Sequence, residues 1–313
     1  MARILVTGGA GYIGSACVKS LIEKGYEVTV IDNLSKGLKK LVHPKATFFK
    51  VDLTERKTLD RIFKNKIDAV IHFAGYKSVA ESMSNAAKYS DNITGTINLL
   101  DMMVKHKVEK IIFSSSAAVY GMPDVSVATE ETQTFPINYY GFTKLACEQI
   151  IKWYAQIHGI RYVLLRYFNV AGDSGLNYVD PHAENIIPII MEVIAGKRDK
   201  LTIFGKGYKT RDGTCIRDYI DINDLVSAHI LSIKKGNNEI INLGTSHGVS
   251  VKELADTTMK ITGHKFKYIY GNKRLGDPPV LIASNKKAKK ILNWKPKKSV
   301  NDMIASTFKA YIH

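Results

Sequence analysis

Apolar positions in this 313-residue chain fall in short runs separated by stretches of helical period. Residues 3–6, 27–31, 47–51, 69–73, 111–113 and 162–167 read as strands, being short and rich in β-branched and aromatic side chains. Tyr12–Glu23, Ala86–Lys105 and Tyr139–His158 carry the spacing of amphipathic helices between them. Such alternation predicts an α/β fold, a doubly wound parallel sheet with helices on both faces. Ligands of these sheets bind at the carboxyl ends of the strands, so Asp32, Asp52, Phe73-Ala74-Gly75, Ser114-Ser115-Ser116 and Tyr167-Phe168-Asn169 are expected along one edge. Beyond about residue 170 the pattern loosens. Residues 173–184 and 205–214, rich in glycine and charge, read as loops of a second, smaller α/β lobe that holds a substrate. Residues 239–244 return to the main sheet, and Ser250-Val251-Lys252-Glu253 is a capping box that opens a helix to Ile261. The predicted domains are therefore discontinuous, 1–168 with about 217–247, and 169–216 with 248–313.

The junction of the first strand and helix is Thr7-Gly8-Gly9-Ala10-Gly11-Tyr12-Ile13-Gly14. Alone, Gly-x-Gly-x-x-Gly is a weak signal, because any loop that needs glycine backbone angles carries it. Placed between a strand and a helix, it becomes a phosphate cradle of Rossmann type. Glycines let the backbone approach a pyrophosphate, and the helix N-terminus presents N–H groups and a positive dipole. The second strand ends in Asp32, eighteen residues past Gly14, where a carboxylate accepts ribose hydroxyls and repels a 2′-phosphate. This favours NAD over NADP, although Lys36 nearby keeps NADP open and a turn role for Asp32 is the plainer alternative.

Composition narrows the class. A net charge of +16 raises the question of nucleic acid, with Lys286, Lys287, Lys289, Lys290, Lys295, Lys297 and Lys298 as its focus. The excess is mainly lysine spread along the chain, and Ile291, Leu292 and Trp294 give that segment an apolar side, so it reads as a solvated helix face. No specific nucleic-acid partner is expected, and a basic surface also suits an anionic nucleotide. There is no run of about 18 apolar residues, and a glycine loop at residue 7 leaves no room for a cleavable leader. Cys17, Cys147 and Cys215 are widely spaced and lack metal-ligand spacing. A cytoplasmic protein with reduced thiols, no membrane partner and no metal is expected.

Ser114-Ser115-Ser116 and Tyr140-Gly141-Phe142-Thr143-Lys144 supply hydroxyls and a phenol–lysine pair. Tyr-x-x-x-Lys arises about twice by chance in a chain with this much tyrosine and lysine. Only alongside a dinucleotide loop does it suggest proton transfer coupled to hydride transfer at a carbinol carbon. With Phe73-Ala74-Gly75-Tyr76-Lys77-Ser78-Val79, Asp91-Asn92-Ile93-Thr94-Gly95-Thr96, Ser114–Gly121 in sequence, Arg166-Tyr167-Phe168-Asn169, Arg217-Asp218-Tyr219-Ile220 and Arg274-Leu275-Gly276-Asp277-Pro278, the motifs run over nearly the whole length. In this order they resemble the UDP-glucose 4-epimerases, the nucleotide-sugar epimerases of the extended short-chain dehydrogenase/reductase family.

The resemblance implies tightly bound NAD held by Gly8, Gly11, Tyr12, Ile13, Gly14, Asp32, Asn33, Asp52, Leu53, Phe73, Ala74, Gly75, Lys77, Asn92, Ser114, Tyr140, Lys144, Tyr167 and Phe168. It makes Tyr140 the base at the sugar 4-hydroxyl, Lys144 the charge that lowers its pKa and holds the nicotinamide ribose, and Ser116 the proton relay. A UDP-sugar is implied at Lys77, Ser116, Tyr140, Phe168, Asn169, Asn185, Ile186, Thr202, Phe204, Arg217, Arg274, Asp277 and Leu281. By residue type alone, Asn185 is as well explained as a helix cap, and Arg217 and Arg274 as surface ion-pair residues. Relatives dimerise through the counterparts of Ala86–Lys105 and Tyr139–His158, so a homodimer is expected.

The chain departs from the family pattern at Ala16 and Asp221, where histidine is usual, and at Cys215, where glycine is common. Leu281, where relatives set sugar size, is intermediate between tyrosine and a small residue. Dehydratases on this scaffold carry an acid pair where this chain has Ala117 and Ala118, which argues against elimination. The alternatives are 4-epimerases of UDP-N-acetylhexosamine or UDP-glucuronate and, in another class, a non-catalytic nucleotide sensor, which would have no use for both Tyr140 and Lys144.

Overall fold

The computed structural model describes residues 1–181, 183–274 and 277–312. Its strands are β1 (Arg3–Thr7), β2 (Glu27–Asp32), β3 (Thr47–Lys50), β4 (Ala69–His72), β5 (Lys110–Ser114), β6 (Val127–Ala128), β7 (Arg161–Tyr167), β8 (Asn169–Ala171), β9 (Leu201–Phe204), β10 (Ile216–Asp221), β11 (Glu239–Leu243), β12 (Gly248–Ser250), β13 (Tyr268–Gly271) and β14 (Val280–Ala283). The helices are α1 (Tyr12–Glu23), α2 (Arg56–Phe63), α3 (Val79–Ser82), α4 (Ala86–Lys105), α5 (Tyr139–His158), α6 (Ile186–Ile194), α7 (Ile222–Lys234), α8 (Val251–Thr262), α9 (Lys286–Leu292) and α10 (Val300–Ile312).

One compact unit comprises Met1–Val119, Pro136–Arg166 and Val226–Ile241. Its sheet has the strand order β11-β7-β5-β4-β1-β2-β3, with parallel pairing from β3 through to β7. The chain reverses direction across the sheet between β1 and β4, the switch point at which open α/β sheets bind ligands. Residues 4–6 of β1 are buried without alternation, as a strand covered on both faces requires. Leu5, Ile31, Val70, Ile111, Phe113 and Leu164 pack under Leu99 and Met103 of α4 and Ile151 of α5. The first strands, α1, α4 and α5 and the return of β11 are as the hydrophobic pattern predicts.

The second unit comprises Tyr120–Phe135, Tyr167–Leu225 and Asn242–His313. Its larger sheet runs β12-β10-β14-β6, with β8 also pairing to β10, and β13 pairs with β9 in a small parallel sheet. Helices α6, α8 and α10 bury Ile187, Met191, Leu254, Met303 and Ile304 over Tyr219 of β10. The capping box at Ser250 and Glu253 forms and opens α8. On α9, Ala288 and Leu292 are buried while Lys286, Lys289 and Lys290 face water, and Trp294 is buried with its Nε1–H on the Asp224 carbonyl at 2.9 Å.

The unit boundaries differ from those expected of the sequence. Residues 120–135, 167–168, 217–225 and 242–247 belong to the second unit, because Val127 pairs with Ile282 and β10 pairs with β8, β12 and β14. Pairing partners so far apart in sequence leave no mark on local periodicity.

Beneath the carboxyl edge of the first unit lies an ion pair. Glu148 of α5 meets Arg166 of β7 through two hydrogen bonds, Nε to Oε1 at 2.9 Å and Nη2 to Oε2 at 2.6 Å. Their side chains are 0% and 4% exposed, and the Ser115 hydroxyl donates to the same carboxylate at 2.5 Å. Glu148→Ala strands a buried guanidinium, so the full chain should lose about 3–5 kcal/mol in urea unfolding. A loss below about 1 kcal/mol, the range of a solvent-exposed pair, would contradict this burial.

Candidate active site

The glycine loop leaves β1 at Thr7 and enters α1 at Tyr12. Gly11 is the N-cap residue, and no side chain caps the helix, which suits an anionic ligand at that terminus. Gly14 packs α1 on the loop so tightly that a Cβ there would lie 2.1 Å from the Gly8 carbonyl oxygen. Tyr12 and Ile13 are partly exposed at the same turn.

Asp32, at the end of β2, accepts from the Ala10 N–H at 3.0 Å and the Leu34 N–H at 2.8 Å, one on each carboxylate oxygen. It thus ties the glycine loop to the next strand end and keeps a lone pair on each oxygen for ribose hydroxyls. Burial raises its pKa, and those two amides pull the other way. Asn33 donates to Asp52 at 2.7 Å, which joins the ends of β2 and β3. Burial pushes the Asp52 carboxyl up, but the Thr54 and Asn33 hydrogen bonds outweigh it and leave the pKa lowered. Leu53 supports Gly95 of α4, where an added Cβ would sit 2.9 Å from its own. A glycine-lined, uncapped helix start beside a strand-end acid fits a dinucleotide.

Asn138 caps α5 by accepting the Gly141 N–H at 2.8 Å, and the helix then presents Tyr140, Lys144 and Glu148 one turn apart. Tyr140 and Lys144 are buried. Desolvation raises the Tyr140 pKa, and a hydrogen bond with Ser116 opposes it. Ser116 follows β5 and also accepts the Ala118 N–H at 3.1 Å. Burial pulls Lys144 down to about 8, with the nearby Glu148 carboxylate acting against that fall. The ammonium donates to the Ser114 carbonyl at 2.9 Å and lies over the Phe113 ring. The same edge holds Phe73, Ala74, Gly75 and the exposed Lys77, while Asn92 grips the Tyr76 backbone at 2.8 and 3.1 Å and Thr143 at 3.2 Å.

In the second unit, two pairs of the expected UDP-sugar residues come together. Arg217 forms an ion pair with Asp277 and also donates to the Ile216 carbonyl at 2.8 Å, and the Arg274 guanidinium lies 4.0 Å from the Phe204 ring centre. Leu281 is in register with Arg217 across β14 and β10, and Thr202 lies two residues before Phe204 on β9. Asn169 donates to the Asp218 carbonyl at 2.9 Å. Asn185 occupies the N-cap position before Ile186 and makes no capping bond, so its side chain is not explained as a cap. Tyr167 is half-buried and Phe168 buried. Leu275 and Gly276, inside the Arg274–Pro278 motif, lie outside the described residues. Among the departures from the family pattern, Ala16 is buried in α1, and Asp221 accepts both the backbone and side-chain N–H of Asn223 at 2.8 and 2.9 Å. Cys215 lies 3.7 Å from Asp277.

Several residues of this neighbourhood were not singled out by sequence reasoning. Glu148 completes an i, i+4, i+8 series with Tyr140 and Lys144, a spacing visible in the sequence. His72 interrupts an otherwise apolar strand, and His229 of α7 bonds the Ser114 hydroxyl at 2.8 Å and packs on Phe73. The first two carried a signal, polarity where burial was expected, but His229 carried none.

Comparison with known proteins agrees with this geometry. Residues 4–244 match the model of the NAD dependent epimerase/dehydratase family. A UDP-glucose 4-epimerase from Lactobacillus helveticus is 44% identical over 317 residues, covering 98% of this chain and 96% of that one. The crystal structure of UDP-glucose 4-epimerase from Brucella ovis in complex with NAD superposes with a TM-score of 0.94 at 36% identity, over 99% and 98% of the two chains. That from Thermotoga maritima with UDP-glucose gives 0.91 at 35%, with the same coverage. A strand-end acid, an uncapped glycine turn and a Ser–Tyr–Lys set with buried phenol and ammonium on one sheet edge, in a chain this similar throughout to such enzymes, establish that it belongs to the NAD-dependent epimerase/dehydratase family.

Proposed function

We propose that this chain interconverts UDP-galactose and UDP-glucose by inverting the sugar at C4. The observation that carries the reading is the Ser116 hydroxyl set against the buried Tyr140 phenol, with Lys144 one turn along the same helix face. Similarity to UDP-glucose 4-epimerases over nearly the full length supports the substrate, and the NAD complexes of related structures support the cofactor. Gly8, Gly11 and Gly14 with the α1 terminus would hold the pyrophosphate of NAD, Asp32 a ribose and Lys144 the nicotinamide ribose. When bound, NAD supplies a hydride acceptor that also returns the hydride to C4. Tyr140 takes the 4-hydroxyl proton, Ser116 shares that proton through its hydrogen bond, and the same groups return it after the sugar turns over. Arg217 and Arg274 suit a diphosphate, since their planar donors match its oxygens, and Asp277 suits ribose hydroxyls.

The finer assignments follow the same reading. Phe142, Trp153 and Ile157 are 48%, 61% and 66% exposed on α5, an apolar face that a second copy of the chain would cover. The protein is thus read as a homodimer through α4 and α5. No helix of the described residues is long and apolar enough to cross a membrane, and Cys17, Cys147 and Cys215 are free and buried. Both suit the cytoplasm, where thiols stay reduced.

Proton NMR of the purified protein with UDP-galactose should show the UDP-glucose anomeric signal growing to a fixed ratio. In Tyr140→Phe the rate should fall about 10²–10⁴-fold with UDP affinity kept, and full turnover by that variant would sink the mechanism. Because Lys144 loses its charge as pH rises through about 8, kcat should decline across that range, and Lys144→Met should lack this limb at a much lower rate. A Trp153→Glu, Ile157→Glu variant should sediment as a monomer, and a wild type that is itself monomeric would refute the dimer.

A further inference from the structure

His72 closes β4 one residue before the expected cofactor edge and is 1% exposed. Its Nδ1 lies 2.6 Å from the Thr7 hydroxyl and its Nε2 3.0 Å from the Thr96 hydroxyl. Thr96 donates its hydroxyl proton to the Asn92 carbonyl at 2.7 Å, one turn back on α4, and its oxygen then accepts from Nε2 and from the Cys147 thiol at 3.3 Å. Nδ1 is then an acceptor, and Thr7 donates to it while its own oxygen accepts the Ala74 N–H at 3.3 Å. The opposite tautomer breaks the Thr96–Asn92 bond and leaves the buried Thr7 proton without the ring as its acceptor, which is costly.

The chain of bonds therefore runs from the Ala74 amide through Thr7, His72 and Thr96 to Asn92. It continues through the Asn92 side chain, which holds both the N–H and the carbonyl of Tyr76 and reaches Thr143 beside Lys144. Between these grips lies Gly75, at φ +154°, where a Cβ would stand 3.1 Å from the Asn92 amide oxygen and 3.7 Å from the Lys144 ammonium. Both ends of the bend that faces the catalytic lysine are thus fastened by the same network. Around the ring, β1 and α4 present Thr7 and Thr96, β5 presents Phe113, and α5 brings Lys144 and the neutral thiol of Cys147. Burial and the Lys144 charge hold the imidazole far below its usual pKa, at about 3.

We propose that His72 is a positioning residue, a permanently neutral imidazole protonated on Nε2 that sets the backbone of residues 74–76 opposite Lys144. The kinetic part of its test rests on the epimerase reading, but the ring state does not. In the full-length protein labelled with 15N-histidine, long-range proton–nitrogen NMR should show one ring with Nε2 protonated and Nδ1 bare, unchanged from pH 8 to 5. That signal, absent in His72→Gln, assigns the ring. A ring protonated on Nδ1, or one that titrates near its ordinary pKa, would overturn the proposal. His72→Phe should lower kcat roughly ten- to hundredfold, as small misplacements of catalytic groups do, with KM for UDP-galactose little changed. His72→Gln, which keeps an N–H donor toward Thr96, should recover most of the loss. A folded His72→Phe variant with unchanged kcat would show a merely structural ring. Should that variant fail to fold, the ring NMR decides alone, and a wild type that turns over no UDP-sugar counts against the epimerase reading only.

Discussion

The buried ion pair between Glu148 and Arg166 is the constraint on which the site depends. Taking a carboxylate and a guanidinium out of water costs several kcal/mol apiece, and only close, multiply bonded geometry offsets that cost. Two bonds from Arg166 and a third from Ser115 provide it. Such a pair tolerates little displacement, so α5, β7 and the loop after β5 are held in one arrangement. Tyr140 and Lys144, earlier on the same helix face, inherit their positions from it, and Ser116 inherits its position from Ser115.

Burial sets a second problem that the site has to meet. Desolvation disfavours charge on Tyr140 and Lys144 alike, raising the phenol and lowering the ammonium. The protein counters this in two places, with a hydroxyl on Tyr140 and a carboxylate near Lys144. His72, lying close to the same ammonium, is held neutral, which spares the lysine a positive neighbour. The charges retained in this interior are those with a partner, and the histidine is kept uncharged by the same rule.

Much of the first unit was legible in the sequence because its elements declare themselves locally. Strands covered on both faces become unbroken apolar runs, and α1, α4 and α5 carry apolar residues at helical spacing. The second unit was less so. Strands as short as β6 and β8 span two or three residues, too few for any periodicity, and they exist only because β14 and β10 are there to pair with them. The boundary shifts at residues 120–135 and 217–225 have that single cause.

For the site, residue type and order determined the chemistry: a glycine turn after a strand, an acid at the next strand end, and Tyr140 and Lys144 spaced to share one helix face. Those features are local, and local covalent geometry is enough to place them. Tertiary structure alone decided which groups lose water and which protons point where. It joined Glu148 to Arg166, Arg217 to Asp277, and Thr7 to Thr96 through His72, pairs separated by 18 to 89 residues. Desolvation and hydrogen-bond direction are properties of such contacts, and a linear sequence contains neither.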